Sequence, residues 1–243
     1  MKLTVVGCSP AWPNAGSPHS GYLVEGSGGL LLDCGPGVLS RLRKGGKNGW
    51  PELDSIAITH WHLDHWGDLV PWVWGVMFGL GKERPHPEVW VPPGGIAQLA
   101  DFGANFGTRT MFEDTFRLAE YAAGEPFTTA AGLEVTATLV PHYSMKSYAF
   151  RVTDGERSLA YSGDSAPAGE LADVARDADL FLCEATLSEA SDDGDLRGHL
   201  TVGEAVEAFS VSGAKRLLVT HRPTERPVPD GIELAYDGLE LVV

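Results

Sequence analysis

The sequence predicts a mixed α/β (α+β) chain, with residues 1–243 forming one large domain. Three observations carry this expectation. Short apolar runs such as Ile56-Ala57-Ile58, Val89-Trp90-Val91 and Leu217-Leu218-Val219 have the length and side chains of buried strands. Stretches with helix start and stop signals alternate with them. Several of the strand-like runs end in a histidine or an aspartate, as expected where a helix-covered sheet holds a ligand at its strand ends. With 43% hydrophobic and 21% charged residues, the 243-residue chain has the material for a sizeable core.

Residues 2–7 read as the first strand, followed by a loop at 8–20 rich in Pro, Gly and Ser. Tyr22-Leu23-Val24 and Leu30-Leu31-Leu32 read as paired strands across a glycine turn. Asp33-Cys34-Gly35-Pro36-Gly37 is a tight turn into a helix at 38–44, which Gly45 and Gly46 stop. A strand at 55–58 comes next. Residues 67–79 are apolar on most faces and read as a buried helix bent at Pro71. A strand at 89–91 and a helix at 96–102 follow. Residues 103–131 are expected to be an irregular excursion over the site, helical at 111–120. Strands are expected at 133–140, 147–153 and 157–161, a helix at 168–176 and a strand at 180–183. Residues 188–198 form an acidic loop. Thr201 with Glu204 three residues on has the capping-box pattern and opens a helix to about 209. Strands at 217–219 and 239–242 close the chain.

The stretch that organises this pattern is Thr59-His60-Trp61-His62-Leu63-Asp64-His65, directly after a strand. On an extended backbone His60 and His62 point to the same side. Asp64 and His65 follow the turn and can face a second point. This layout suits two metal ions, and imidazole with carboxylate suits zinc, with manganese or iron as alternatives. A lone histidine is more often a core or surface group than a ligand, but four potential ligands within six residues are another matter. Trp61 and Trp66 read as packing. The same placement recurs at Val140-Pro141-His142, at Tyr161-Ser162-Gly163-Asp164 and at Val219-Thr220-His221. Strands that each deliver one ligand to a common rim describe one site built from the whole domain.

Composition narrows the function. The formal charge of −15 opposes long polyanions. The one dense basic group, Arg41, Arg43, Lys44 and Lys47, reads as the C-terminal end of a helix, where cations are favoured. The most apolar stretch, 69–80, is too short to span a membrane. The opening strand is not preceded by a basic and apolar leader, so no signal peptide is expected. Cys8, Cys34 and Cys183 are sparse and odd in number, which argues for reduced thiols and a cytoplasmic protein. No cationic neighbour marks any of them as a nucleophile. The surplus of apolar side chains at Trp72, Val73, Trp74, Val76, Met77 and Phe78 points to a homodimer contact, with inward packing or lining of the substrate cleft as the alternative.

On the H-x-H-x-D-H stretch followed by His142, Asp164 and His221, the chain resembles a metallo-β-lactamase-fold hydrolase over nearly its whole length. The resemblance implies an αββα sandwich, two mixed sheets with helices outside. It implies that His60, His62 and His142 hold one metal, that Asp64, His65 and His221 hold a second, and that Asp164 bridges them. An aspartate bridge departs from the di-zinc β-lactamases, which use a cysteine there. Phe181-Leu182-Cys183-Glu184-Ala185-Thr186 and Gly198-His199-Leu200-Thr201 are similar to the glutamate and histidine motifs of the ribonuclease Z-like phosphodiesterases. In that family the pair handles a proton at the leaving oxygen.

The expected activity is hydrolysis of small phosphodiesters, cyclic nucleotides among them. The expected nucleophile is a metal-bound hydroxide, Asp64 orients the parent water or accepts its proton, and His199 backed by Glu184 assists the leaving group. The tRNA-processing members carry an added arm, in many of them between the third histidine and the bridging aspartate. Here His142 and Asp164 are only 22 residues apart, and strands use most of that length. A tRNA 3′-end endonuclease is therefore the second reading, and a lactone, thioester or β-lactam hydrolase on the same metals the third. A non-enzymatic metal or electron-transfer module would need a partner flavin domain or diiron chemistry, and the length leaves no room for a flavin domain. The 9–20 loop, with Ser17, His19 and Ser20, lies in the region that faces the site in this branch, and here it reads first as a connecting loop.

Overall fold

The computed structural model describes residues 1–46, 49–84 and 86–243. Lys47 of the basic group lies outside the described residues. Two sheets pack face to face. The first has the order β13-β1-β2-β3-β4-β5-β6, built from Glu240–Val242, Lys2–Gly7, Gly21–Glu25, Gly29–Leu32, Ser55–Ala57, Glu88–Val91 and Arg117–Glu120. The second has the order β12-β11-β10-β9-β8-β7, from Leu217–Thr220, Leu180–Glu184, Ser158–Tyr161, Met145–Thr153, Glu134–His142 and Pro126–Thr128. Both sheets are mixed. β3 to β6 are parallel, as are β10 to β12, and the remaining pairs are antiparallel.

The two-residue period of the strands sorts the apolar side chains into layers. Leu30 and Leu32 face inward with Val24, meeting Phe150, Val152 and Leu182 of the second sheet. Leu31, between them, faces outward with Ile56 and Ile58. That outer face is covered by α1 (Val38–Gly45), α3 (Leu69–Phe78) and α4 (Gly95–Ala104). The outer face of the second sheet, with Phe181 and Cys183, is covered by α5 (Gly169–Val174) and α6 (Val202–Ser212). The result is the αββα sandwich. Strands buried on both faces explain the continuous apolar runs of the sequence.

Two expectations need correction. The helix at 67–79 is not bent at Pro71. A one-turn helix, α2 (Leu63–Trp66), ends at Gly67, and α3 starts afresh at Leu69. Pro71 falls in the first turn of α3, where a missing N–H breaks no helical hydrogen bond. Nor is α3 buried throughout: Leu69, Trp72 and Val73 are buried, whereas Phe78 is 78% exposed. Residues 111–120 are not helical either. Turns pinned by buried Met111, Phe112 and Phe116 lead into β6, which pairs with β5 from Arg117 opposite Glu88. Edge pairing overrides the helix propensity of this segment. No residue of 103–131 lines the cleft described below. The stretch contributes β6, β7 and Tyr121, whose hydroxyl donates to the Ile58 carbonyl at 2.8 Å from within the core.

Thr201 caps α6 with the reciprocal Glu204 contact, and the helix runs on to Ser212, where Gly213 ends it at φ 73°. Arg43 and Lys44 lie in the last turn of α1. All three cysteines are buried free thiols. Among the described residues, no helix is long and apolar enough to cross a membrane.

Candidate metal centre

Strand direction gathers the polar residues. β8 and β10 both pair antiparallel with β9, so their C-terminal ends share one edge with those of β11 and β12. His142 is the last residue of β8, Asp164 lies just beyond β10, Glu184 ends β11, and His221 follows β12. From the first sheet, the end of β4 leads to His60, and His62 stands as N-cap of α2 with Asp64 and His65 in its first turn. Gly163, at φ 56°, lets the chain pass close beneath, where an added Cβ would lie 2.8 Å from the Tyr148 carbonyl.

The donor atoms fall into two sets that share Asp164. In the first, His62 Nδ1 lies 3.2 Å from His60 Nε2 and 2.8 Å from His142 Nε2, and Asp164 Oδ2 is 3.8 Å from His60 Nε2. In the second, His65 Nε2 lies 3.4 Å from Asp64 Oδ2 and 3.2 Å from Asp164 Oδ2, while His221 Nε2 lies 3.2 Å from Asp64 Oδ2. Tetrahedral zinc with bonds of about 2.0–2.1 Å puts its donors about 3.3 Å apart, so both sets have edges of that scale. The structure thus brings together all seven residues that the sequence placed at a metal site.

The remaining ring nitrogens fix which atom faces inward. His60 Nδ1 meets Thr59 Oγ1 at 3.0 Å, His65 Nδ1 meets Asp33 Oδ2 at 2.7 Å, His142 Nδ1 meets the Gly198 carbonyl at 2.6 Å, and His221 Nδ1 meets Thr186 Oγ1 at 2.8 Å. Each outer contact orients its ring and leaves the inner nitrogen free for a cation. His65 Nε2 and Asp164 Oδ1 are buried without a hydrogen-bond partner. An unsatisfied buried polar atom costs about 1–3 kcal/mol, and a divalent cation would satisfy both. The donor set therefore fits divalent metal.

Electrostatics separates the histidines. Burial lowers the pKa of His60, His62 and His142, keeping them neutral and able to ligate. Burial also acts on His65, but Asp164, Asp64 and Asp33 outweigh it and raise its pKa. Asp64 and Asp164 are held far below the usual carboxylate range against burial, Asp64 chiefly by His65 and Asp164 by His221 and His65.

Beside this cluster, His199 Nδ1 meets Glu184 Oε1 at 2.9 Å. Burial would lower the His199 pKa, but Glu184 first, then Asp164 and Asp193, raise it to about 9. Glu184 is fully buried and also accepts from Ser165 N, Thr186 N and Thr186 Oγ1. Its carboxylate is thus fixed on both oxygens. The loop before His199 is held by Asp193, which accepts from the Gly198 and His199 amides and from the Tyr143 hydroxyl. The cleft over the centre has a volume of about 610 Å³ and is reached by His62, Asp64, Asp164 and His199.

The beta-lactamase superfamily domain matches residues 29–222, most of the chain. The chain belongs to the beta-lactamase superfamily. Among its superfamily relatives, the probable metallo-hydrolase YhfI of Bacillus subtilis is 33% identical over 226 residues, covering 92% of this chain and 87% of that one. The crystal structure of YhfI, described as a metallo-beta-lactamase fold protein, superposes with a TM-score of 0.83 at 27% identity over 99% of both chains. A ribonuclease Z from Methanothermobacter thermautotrophicus is 26% identical, covering 92% of this chain and 87% of its own. A diphosphatase of the PhnP family shares the fold at TM-score 0.73 and 21% identity, over 100% of this chain and 97% of that one. The chain is thus similar, within the superfamily, to a metallo-hydrolase and more distantly to ribonuclease Z.

Within this superfamily member, sequence reading missed the residues that orient the ligands. Asp33 was legible only as part of a turn. It is fully buried at φ 59° and accepts from His65 Nδ1, from Thr59 N and Oγ1, and from Tyr161 OH. A lone aspartate after an apolar strand was the only available signal. Thr186 has no assigned role in the Glu184 motif, and in the fold it ties Glu184 to His221 and holds the carbonyl of His221, itself at φ 54°. Ser17 and His19 stitch the N-terminal loop, Ser17 to Asp237 at 2.9 Å and His19 to the Pro10 carbonyl at 2.9 Å. Asp33→Asn is expected to weaken metal binding by about 10- to 100-fold, measured by chelator competition. An unchanged affinity would remove Asp33 from the site.

Proposed function

We propose that the chain is a two-metal hydrolase of small phosphodiesters, cyclic nucleotides among them. The observation that carries this reading is the Glu184–His199 pair fixed beside a cluster of seven metal-type ligands. A phosphodiester expels an alkoxide, a poor leaving group that benefits from a general acid. His60, His62 and His142 would hold one cation, Asp64, His65 and His221 the other, and Asp164 both. The nitrogen-rich donor set favours zinc, with manganese or iron as alternatives. When bound, such cations supply Lewis acidity toward the phosphoryl oxygens and make water nucleophilic at neutral pH. Asp64, at the cleft, orients or accepts a proton from the attacking water. His199, with Nδ1 held by Glu184, presents Nε2 and gives its proton to the leaving oxygen. Glu184 stabilises the imidazolium and fixes its orientation.

The ribonuclease Z relatives favour tRNA 3′ processing as a second reading. Two features weigh against it. Between His142 and Asp164 the chain is β9, a tight turn and β10, with no inserted arm. The net charge of −15 opposes a polyanion whose binding depends on cationic contacts. A lactone, thioester or β-lactam substrate would not call for the Glu184–His199 pair. A panel of cyclic AMP, bis(p-nitrophenyl) phosphate, pre-tRNA and a lactone tests the ranking. Turnover of the first two with little or no pre-tRNA cleavage is expected. Efficient, accurate pre-tRNA cleavage at near-physiological salt, without turnover of the small diesters, would overturn it.

A further inference from the structure

The mouth of the cleft holds an indole with no part in the metal centre. Trp12 lines the cavity, is 44% exposed, and so forgoes the burial most indoles obtain. It is nonetheless fixed in place. Its Nε1 donates to Glu225 Oε1 at 2.9 Å, and the Arg226 guanidinium lies over the ring, 5.5 Å from its centroid. Arg226 is anchored in turn by donating to the Thr186 carbonyl at 2.9 Å, with Asp192 at 3.7 Å. The backbone beneath is clasped as well. Asn14 Nδ2 donates to the Arg222 carbonyl at 2.8 Å, and Asn14 Oδ1 accepts from Thr224 N at 2.9 Å. The loop that carries Trp12 is thereby tied to the segment that carries His221. An exposed ring held by contacts at its edge, over its face and beneath its backbone is preorganised to receive a planar group.

We infer that Trp12, clamped by Glu225 and Arg226, is a stacking platform for a nucleobase at the mouth of the cleft. It selects, among small phosphodiesters, those that carry a base. This rests on the phosphodiesterase reading and names its substrate class. A cavity of about 610 Å³ is of the size that holds a nucleotide. Arg226 is the one lysine or arginine among the described residues that line it, and its cation–π contact holds the indole against one side of the mouth. No base-edge partner is implied, so the preference is for a base over none, not for one base over another.

The test compares cyclic AMP with methyl riboside 3′,5′-cyclic phosphate, which keeps the sugar and diester and lacks the base. For the metal-loaded wild type, kcat/KM favours cyclic AMP. In Trp12→Ala the ratio of the two kcat/KM values falls by about 5- to 100-fold, through KM, and Trp12→Phe restores most of it. Equal loss on both substrates, or a wild type that does not distinguish them, overturns the platform while leaving the phosphodiesterase reading intact. If the wild type hydrolyses neither diester, that reading fails, and a titration with adenosine decides the platform separately. Quenching of indole fluorescence that disappears in Trp12→Ala supports the subsite. The same quenching in both proteins, or none in either, rejects it.

Discussion

Asp164→Ala is expected to lose metal from both positions and to lose activity with it. Its carboxylate belongs to both donor sets, with Oδ2 3.2 Å from His65 Nε2 and 3.8 Å from His60 Nε2. Removing a residue that merely orients a ligand costs about 10- to 100-fold in metal affinity. Removing a ligand shared by two ions is expected to cost more than about 100-fold at each. The site also loses a negative charge that would offset the two cations. His142→Ala is the control, because its Nε2 belongs to the first set alone. After gel filtration against metal-free buffer, elemental analysis should give close to two equivalents for the wild type. It should give about one for His142→Ala and far less than one for Asp164→Ala. Retention of both metals in the Asp164 variant would sink the shared-ligand assignment.

Three of the ligands were legible in the sequence because each sits at or just past the end of an apolar strand, and the ends of strands that run the same way lie on one edge. His142, Asp164 and His221 needed only this rule. The residues that orient them were not legible, because their partners are remote in sequence and nothing in a lone Asp33 or Asp193 announces which ring or amide it will meet. Asp33 to Tyr161, for instance, spans 128 positions. The layers of the fold were legible for the same reason as the ligands: the alternation Leu30, Leu31, Leu32 splits between inner and outer faces in a way period two dictates. Where periodicity failed, at 111–120, a weak helical pattern competed with a vacant position at the edge of a sheet, and pairing with β5 won. The bend assigned to Pro71 failed differently. A proline marks a break only inside a helix, and without knowing that Gly67 had already ended one, its place in a first turn could not be seen.

His199→Ala should keep its metals and lose turnover in proportion to the leaving group's need for a proton. Positioned proton transfer contributes about 10²- to 10⁴-fold. A loss of that size is expected for cyclic AMP, whose leaving oxygen is an alkoxide. For bis(p-nitrophenyl) phosphate the loss should be on the order of tenfold or less, because p-nitrophenolate departs readily without protonation. Equal losses on both would argue that His199 acts by packing or by binding phosphate. Glu184→Gln separates the charge from the hydrogen bond. Glutamine can still accept from His199 Nδ1, but it no longer stabilises the imidazolium, so the same substrate dependence is expected in weaker form. Its amide nitrogen must then face either Ser165 N and His199 Nδ1, which share Oε1 of the carboxylate, with loss of the contact to the ring, or the Thr186 donors on Oε2. In the second case the disturbance passes through Thr186 to His221. Metal content must therefore be measured on the Glu184→Gln protein before its rate is read. If the second metal is lost there while His199→Ala retains both, Glu184 serves the metal centre as well as the proton, and only the His199 variant reports the acid alone.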